Sequence, residues 1–180
     1  VGHRGGHTGV YNSMALALAG ITAETPDPDD GRFYRDSNGV LTGLVAERAR
    51  DVFAGMIPST STREQRRDGV KLISELMTKA GLTSVQQTGG ARNDMIAFQD
   101  ARDAGDMRFR VCLFPRDQLF EDLVNAGVRT GFGDEVFRIG AVKFMADGSA
   151  SERTMRMSTP YVGRPDDYGI LTMSQQEIHE

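Results

Sequence analysis

The sequence predicts an α/β protein built on parallel βαβ units, preceded by a segment that carries a β-hairpin. Three observations carry this reading. Between residues 62 and 145, helical and strand-like patterns alternate as helix–strand–helix–strand–helix–strand, and strands alternating with helices of this length imply parallel crossovers. Earlier in the chain, Asn38-Gly39 sits between two strand-like runs, a strong hairpin signal. Glycines at 81, 105 and 127 close successive helical patterns, as expected of a repeating helix–loop–strand unit. Periodicity alone leaves a closed barrel and an open doubly wound sheet equally available.

The elements follow in order. Asn12 is placed to cap a short apolar helix, Ser13 to Ala19, which Gly20 ends. Residues 25–31 form a loop by composition. The runs 32–35 and 40–45 form the hairpin, and a helix is expected from Ala46 to Met56, stopped by Pro58. Residues 59–62 offer N-caps, with Glu64 and Gln65 spaced for a capping box. Val70, Ile73, Leu76, Met77 and Ala80 then share one helical face. A strand is expected over 82–87, broken by Gly89-Gly90, then a helix over Asn93–Ala104 with Ile96, Ala97, Ala101 and Ala104 inward. A strand at 107–114 closes at Pro115, Asp117 caps the next helix, and Val136 to Met145 is the third strand. No repeat beyond the βα unit is present.

Composition narrows the function. The chain has 180 residues, 26% charged and 39% apolar, which suits one soluble globular domain. Its net charge of −4 gives no footprint for nucleic acid or an anionic membrane. No apolar run approaches the ~18 residues of a membrane span. The single cysteine, Cys112, excludes an intrachain disulfide framework, so a reducing, cytoplasmic setting is expected. Val1 is an unusual start, and Ser174 with Glu177 opens a helix that soon runs out, so an internal fragment is expected.

Active-site residues of parallel α/β folds sit at the C-terminal ends of strands. The three such ends offer Gln86 and Gln87; Phe114, Pro115 and Arg116; and residues 141–149. Strict alternation puts Lys143 in line with Phe137, Ile139 and Ala141. A lysine on an apolar face is paired, neutralised or modified, because a buried ammonium is costly; the alternative is a lysine that snorkels to water from a strand end. His3 and His7 are four apart, but Gly5 and Gly6 between them argue for a loop rather than a metal-binding helix face. His-x-His, His-Glu-x-x-His and Cys-x-x-Cys are absent, as are nucleotide-binding glycine motifs. Ser149 and Ser151 have no histidine nearby in sequence, and Cys112 reads as a core residue. Arg153 is either an anchor for an anionic substrate group or a surface arginine.

Five ordered segments resemble the amidohydrolase family 3 group, the YtcJ-like and N-substituted formamide deformylase-like hydrolases. They are residues 4–16 with Ala19-Gly20-Ile21-Thr22; residues 25–43 around the hairpin; Ala80-Gly81-Leu82-Thr83-Ser84-Val85; residues 142–149 with Arg153-Thr154; and Pro160-Tyr161 with Gly169-Ile170-Leu171. The resemblance spans nearly the whole chain. It implies a partial (β/α)8 barrel, about strands two to four, in residues 62–180. Residues 1–61 would then be an insertion between barrel strands one and two.

The same resemblance implies a metal-dependent hydrolase that cleaves C–N bonds of an amide-type small molecule through metal-activated water, with a divalent metal, usually zinc. Lys143 matches the fourth-strand lysine that can be carboxylated to bridge metals, which would turn a buried cation into an anionic oxygen ligand. His7, Asp147 and Arg153 would contact substrate, and a homodimer is a candidate assembly. The first-strand His-x-His, the later histidines and the last-strand aspartate would lie outside this chain, so the fragment alone is expected to be inactive. Gln86-Gln87 departs from the family's His-Asp, and Ala150-Ser151-Glu152 from its Leu-Gly-Ser. Two further readings are Schiff-base lyase chemistry at Lys143 and a non-catalytic binding domain.

Overall fold

The computed structural model describes residues 1–56 and 61–179. The chain divides into two compact units, Val1–Pro58 with Met145–Glu180, and Ser59–Phe144.

In the first unit, strands β1 (Thr8–Val10), β2 (Gly31–Arg35) and β3 (Leu41–Glu47) form an antiparallel sheet in the order β1-β3-β2. The hairpin forms as its Asn-Gly signal predicts. The Asp36 carboxylate accepts the N–H groups of Asn38 (2.8 Å) and Val40 (2.9 Å), and Gly39 takes the left-handed conformation the turn requires. Helix α1 (Ser13–Leu18) is capped by the Asn12 side chain, which accepts from the Ala15 N–H at 2.9 Å. Leu16, Phe33, Val45, Ala49 and Phe53 make the core, with Tyr11 stacked on Phe53.

The helix expected from Ala46 instead begins at Arg48, as a 3-10 helix ending at Met56. Ala46 and Glu47 stay in β3 because they pair with Thr8 and Arg32 and with Gly31, respectively. The expected stop at Pro58 and the caps at 59 and 60 lie outside the described residues.

Residues 145–180 were expected to continue the βα units, yet they group with the first 58 residues. Side chains from this stretch tie into that unit. Glu152 accepts from Thr8, and Arg32 pairs with Asp167 at 3.0 Å. The stretch is mostly turns, held by an Asp147–Leu171 bridge and by the Ile170 N–H on the Thr154 carbonyl (2.8 Å). Its helix α5 (Gln175–His179) is opened by the predicted capping box between Ser174 and Glu177.

The second unit carries helix α2 (Arg63–Lys79), β4 (Ser84–Gly90), α3 (Arg92–Asp103), β5 (Arg110–Pro115), α4 (Phe120–Asn125) and β6 (Phe137–Ile139). The three strands are parallel and in sequential order, β4-β5-β6. Thr62 caps α2 in a capping box with Gln65. The inward stripe of α2 is Val70 and Ser74, both buried, with Met77 half-buried, whereas Ile73 and Leu76 are exposed. The stripe differs from the expected one because the Ser74 hydroxyl, fully buried, accepts the Arg108 N–H at 2.6 Å. Val70, Ala97, Phe98 and Ala101 of α2 and α3 pack on Val111, Leu113, Phe137 and Ile139. Leu123 of α4 lies with Met95, Phe137 and Ile139. All three helices therefore cover one face of the sheet. β4 runs on through Gly89-Gly90 with a register shift, where Gly89 has a φ of +83°, instead of breaking there.

Candidate functional site

Lys143 lies just past the C-terminal end of β6, and its placement turns on a register shift. Val111, Cys112 and Leu113 pair with Phe137, Arg138 and Ile139, an offset of 26, and the Gly140 N–H continues this ladder by donating to the Leu113 carbonyl at 2.6 Å. Lys143, however, pairs with Arg116, an offset of 27. Its N–H donates to the Pro115 carbonyl (2.7 Å), and its carbonyl accepts the Asp117 N–H (3.1 Å). One extra residue is therefore accommodated at 141–142. A one-residue slip moves a side chain to the opposite face. Strict alternation put Lys143 with Phe137 and Ile139, under the helices. The slip puts it with Arg138, Cys112 and Arg116, on the face that no helix of this unit covers. Lys143 is half-buried there.

That open face is polar. Ser84, Gln86, Arg110, Cys112 and Arg138 line a groove together with Val85 and Val111, and Arg110 Nε donates to Ser84 Oγ at 2.8 Å. Cys112, expected in the core, is half-buried on this face. Gln86 and Gln87 lie mid-strand rather than at a strand end, because β4 extends to Gly90.

In the first unit the structure sets beside His7, an expected substrate residue, two carboxylates that sequence reasoning missed. His7 precedes β1, and its Nδ1 lies 3.0 Å from both carboxylate oxygens of Glu47. The Glu47 side chain is 2% exposed and that of His7 19%. A second carboxylate, Glu152, is 3% exposed and lies 3.1 Å from His3 Nδ1. It also accepts from Thr8 Oγ1 and, at 3.5 Å, from the His7 N–H. Burial opposes ionisation of Glu152, but the hydrogen bonds from Thr8, His3 and the His7 backbone hold its carboxyl below the ordinary glutamate value.

Among the described residues, Glu47 and Arg153 are the two non-glycine positions with positive φ, +50° and +54°. Backbone strain of this kind clusters at functional sites. Gly148 packs so closely on Glu47 and Thr154 that no side chain fits there. No motif spacing marked Glu47. A lone glutamate closing an apolar strand, Val45-Ala46-Glu47, was the available signal.

The other expected substrate residues are less engaged. The Asp147 carboxylate accepts the Arg156 N–H at 3.0 Å, and Arg153 is exposed in a turn closed by its N–H on the Ala150 carbonyl. Ser149 Oγ meets Ser151 Oγ at 2.9 Å, not a histidine. His179 is exposed and meets Gln175 within α5. Among the described residues no three His, Cys, Asp or Glu side chains converge on a point that could hold a metal. The described residues therefore do not by themselves fit a metal ion. No helix among the described residues is long and apolar enough to cross a membrane.

The sequence profile of the Amidohydrolase family matches residues 1–180. YtcJ of Bacillus subtilis (strain 168) is 30% identical over 177 residues, covering 96% of this chain and 33% of that protein. N-substituted formamide deformylase of Arthrobacter pascens is 34% identical over 110 residues, covering 57% of this chain and 20% of the relative. A crystal structure described as an uncharacterized metal-dependent hydrolase from Pyrococcus horikoshii OT3 superposes with a TM-score of 0.65 at 25% identity, covering 96% of this chain and 34% of that one. This chain spans about a third of the length of YtcJ and of that structure.

Proposed function

This chain belongs to the amidohydrolase family, and we propose that it is the part of a metal-dependent hydrolase that contributes Lys143 to a metal site and His7, Asp147 and Arg153 to substrate binding. The observation that carries the reading is the register slip at 141–142. It turns Lys143 away from the helices at the C-terminal end of a parallel sheet, the end where such folds keep their chemistry. An ammonium is no metal ligand. Carboxylated by carbon dioxide, Lys143 would present oxygen donors instead. Residues outside this chain would complete the donor set. When bound, a divalent metal, zinc in this reading, supplies water activation.

The proposed architecture is a partial (β/α)8 barrel. Its support is that β4, β5 and β6 follow one another in space as in sequence, with α2, α3 and α4 on a single face. A doubly wound sheet places helices on both faces. The proposed reaction is hydrolysis of a C–N bond in a small amide-type molecule, in the cytoplasm. Its chemical support is the relative that acts on N-substituted formamides.

Hydrolysis of N-substituted amides tests this, measured on a protein extending to the length of the relatives, before and after chelation. Activity lost to the chelator and restored by zinc is expected. Undiminished turnover in the chelator contradicts the reading. The 180-residue chain alone is expected to hydrolyse nothing, and measurable turnover by it would contradict the fragment assignment.

A further inference from the structure

Glu47 is a buried carboxylate with one side-chain partner among the described residues, His7 Nδ1, held 3.0 Å from each oxygen. An ionised carboxylate accepts and cannot donate, so the proton in this contact sits on Nδ1. In the neutral ring Nε2 is then the unprotonated nitrogen. Nε2 makes no hydrogen bond to the described residues and is not among their buried unsatisfied atoms, so it meets solvent.

The arrangement is fixed from several sides. The Glu47 N–H donates to the His7 carbonyl at 2.8 Å, which locks the two residues across the strand pair. The His7 N–H is directed at Glu152. Gly148 packs against the Glu47 carboxylate so closely that a side chain there would clash with it. Glu47 from β3 faces the ring, Glu152 meets the His7 N–H and His3 Nδ1 with one and the same oxygen, and Arg50 donates to the neighbouring Gly6 carbonyl. None of them competes for Nε2.

We propose that Glu47 is a positioning residue that holds His7 in the Nδ1–H tautomer, and that Nε2 is the hydrogen-bond acceptor for an N–H or O–H group of a ligand. Taken with the hydrolase reading above, on which this part rests, that group is the N–H of a secondary amide. A tertiary amide has no such hydrogen, and a site built around a specific hydrogen bond discriminates strongly against an analogue that lacks it.

Nitrogen-15 NMR of the histidine-labelled chain tests the tautomer. At a pH where His7 is neutral, Nδ1 gives a protonated-type resonance and Nε2 an unprotonated-type one. In Glu47→Gln the carboxamide NH2 can donate to Nδ1, so the pattern reverses or becomes mixed, as expected when a carboxylate that sets a histidine tautomer is made an amide. An Nε2–H tautomer in the wild type, or no change in Glu47→Gln, overturns the proposal. The wild-type spectrum decides alone if that variant does not fold.

For the ligand, kcat/KM for a secondary over a tertiary amide is compared between wild type and His7→Leu in a protein extending to the length of the relatives. The ratio falls by about tenfold, the loss of one hydrogen bond. An unchanged ratio overturns the ligand assignment. The spectrum does not depend on amide cleavage, so failure of the hydrolase reading leaves the tautomer decided by NMR.

Discussion

Among the described residues of Ser59–Phe144 the buried ones are apolar except for Ser74; in the other unit Thr8, Glu47, Thr154 and Thr172 are buried as well as the apolar core. The two described non-glycine residues of positive φ, Glu47 and Arg153, also fall in that other unit. One unit is thus a periodic scaffold, in which helices cover one face of a parallel sheet. The other holds its chain in place with polar groups that had to leave water. A buried polar group is tolerated when its partners are in place. The contrast therefore separates where stability is diffuse from where it depends on a few specific hydrogen bonds.

The largest expected effect is in the scaffold. Leu113 is fully buried between α3 and the neighbouring strands, and Leu113→Ala is expected to cost about 3 kcal/mol in urea unfolding. A cost below about 1 kcal/mol would break the contrast, because it would mean the site is not close-packed.

Next comes the polar unit. Thr8→Val removes a donor to the buried Glu152, at an expected cost of about 2 kcal/mol near neutral pH. This contribution has a definite sign with pH. The folded carboxyl titrates below the unfolded one, so its stabilisation is fully present above the ordinary glutamate value of about 4.3 and is lost as pH falls through the lower folded value. Unfolding measured across that range is expected to show a shallower acid loss in Thr8→Val than in wild type. Equal slopes would mean that Thr8 does not hold the carboxylate charged.

A smaller effect belongs to the cap. Thr62→Ala removes the side chain that accepts the Gln65 N–H at 3.2 Å and is expected to cost about 1 kcal/mol. Smallest is Arg63→Ala. It breaks an exposed pair with Asp100, and the unfolding midpoint is expected to stay within error, as for most surface ion pairs.

The same contrast explains what could be read from the amino acids alone. The capping boxes at Thr62 and Ser174, the Asn12 cap and the Asn38-Gly39 turn are local chemistry, and all formed as expected. The order of helices and strands in the second unit followed from periodicity. Three things did not follow. The slip at 141–142 depends on pairing with Arg116, a partner 27 residues away, and period-two counting cannot register an inserted residue. The Ser74 stripe of α2 depends on an N–H at Arg108. The Glu47–His7 and Glu152–Thr8 contacts join residues 40 and 144 positions apart, with no motif connecting them. Long-range polar pairing set each of these, and it leaves no periodic trace.

Metal content tests the role of Lys143 most directly. In a protein extending to the length of the relatives, the wild type is expected to retain divalent metal through dialysis. Lys143→Ala is expected to lose most of it while keeping the wild-type fold by circular dichroism. A Lys143→Ala protein that keeps the full wild-type metal complement would contradict the assignment of this lysine as a metal ligand.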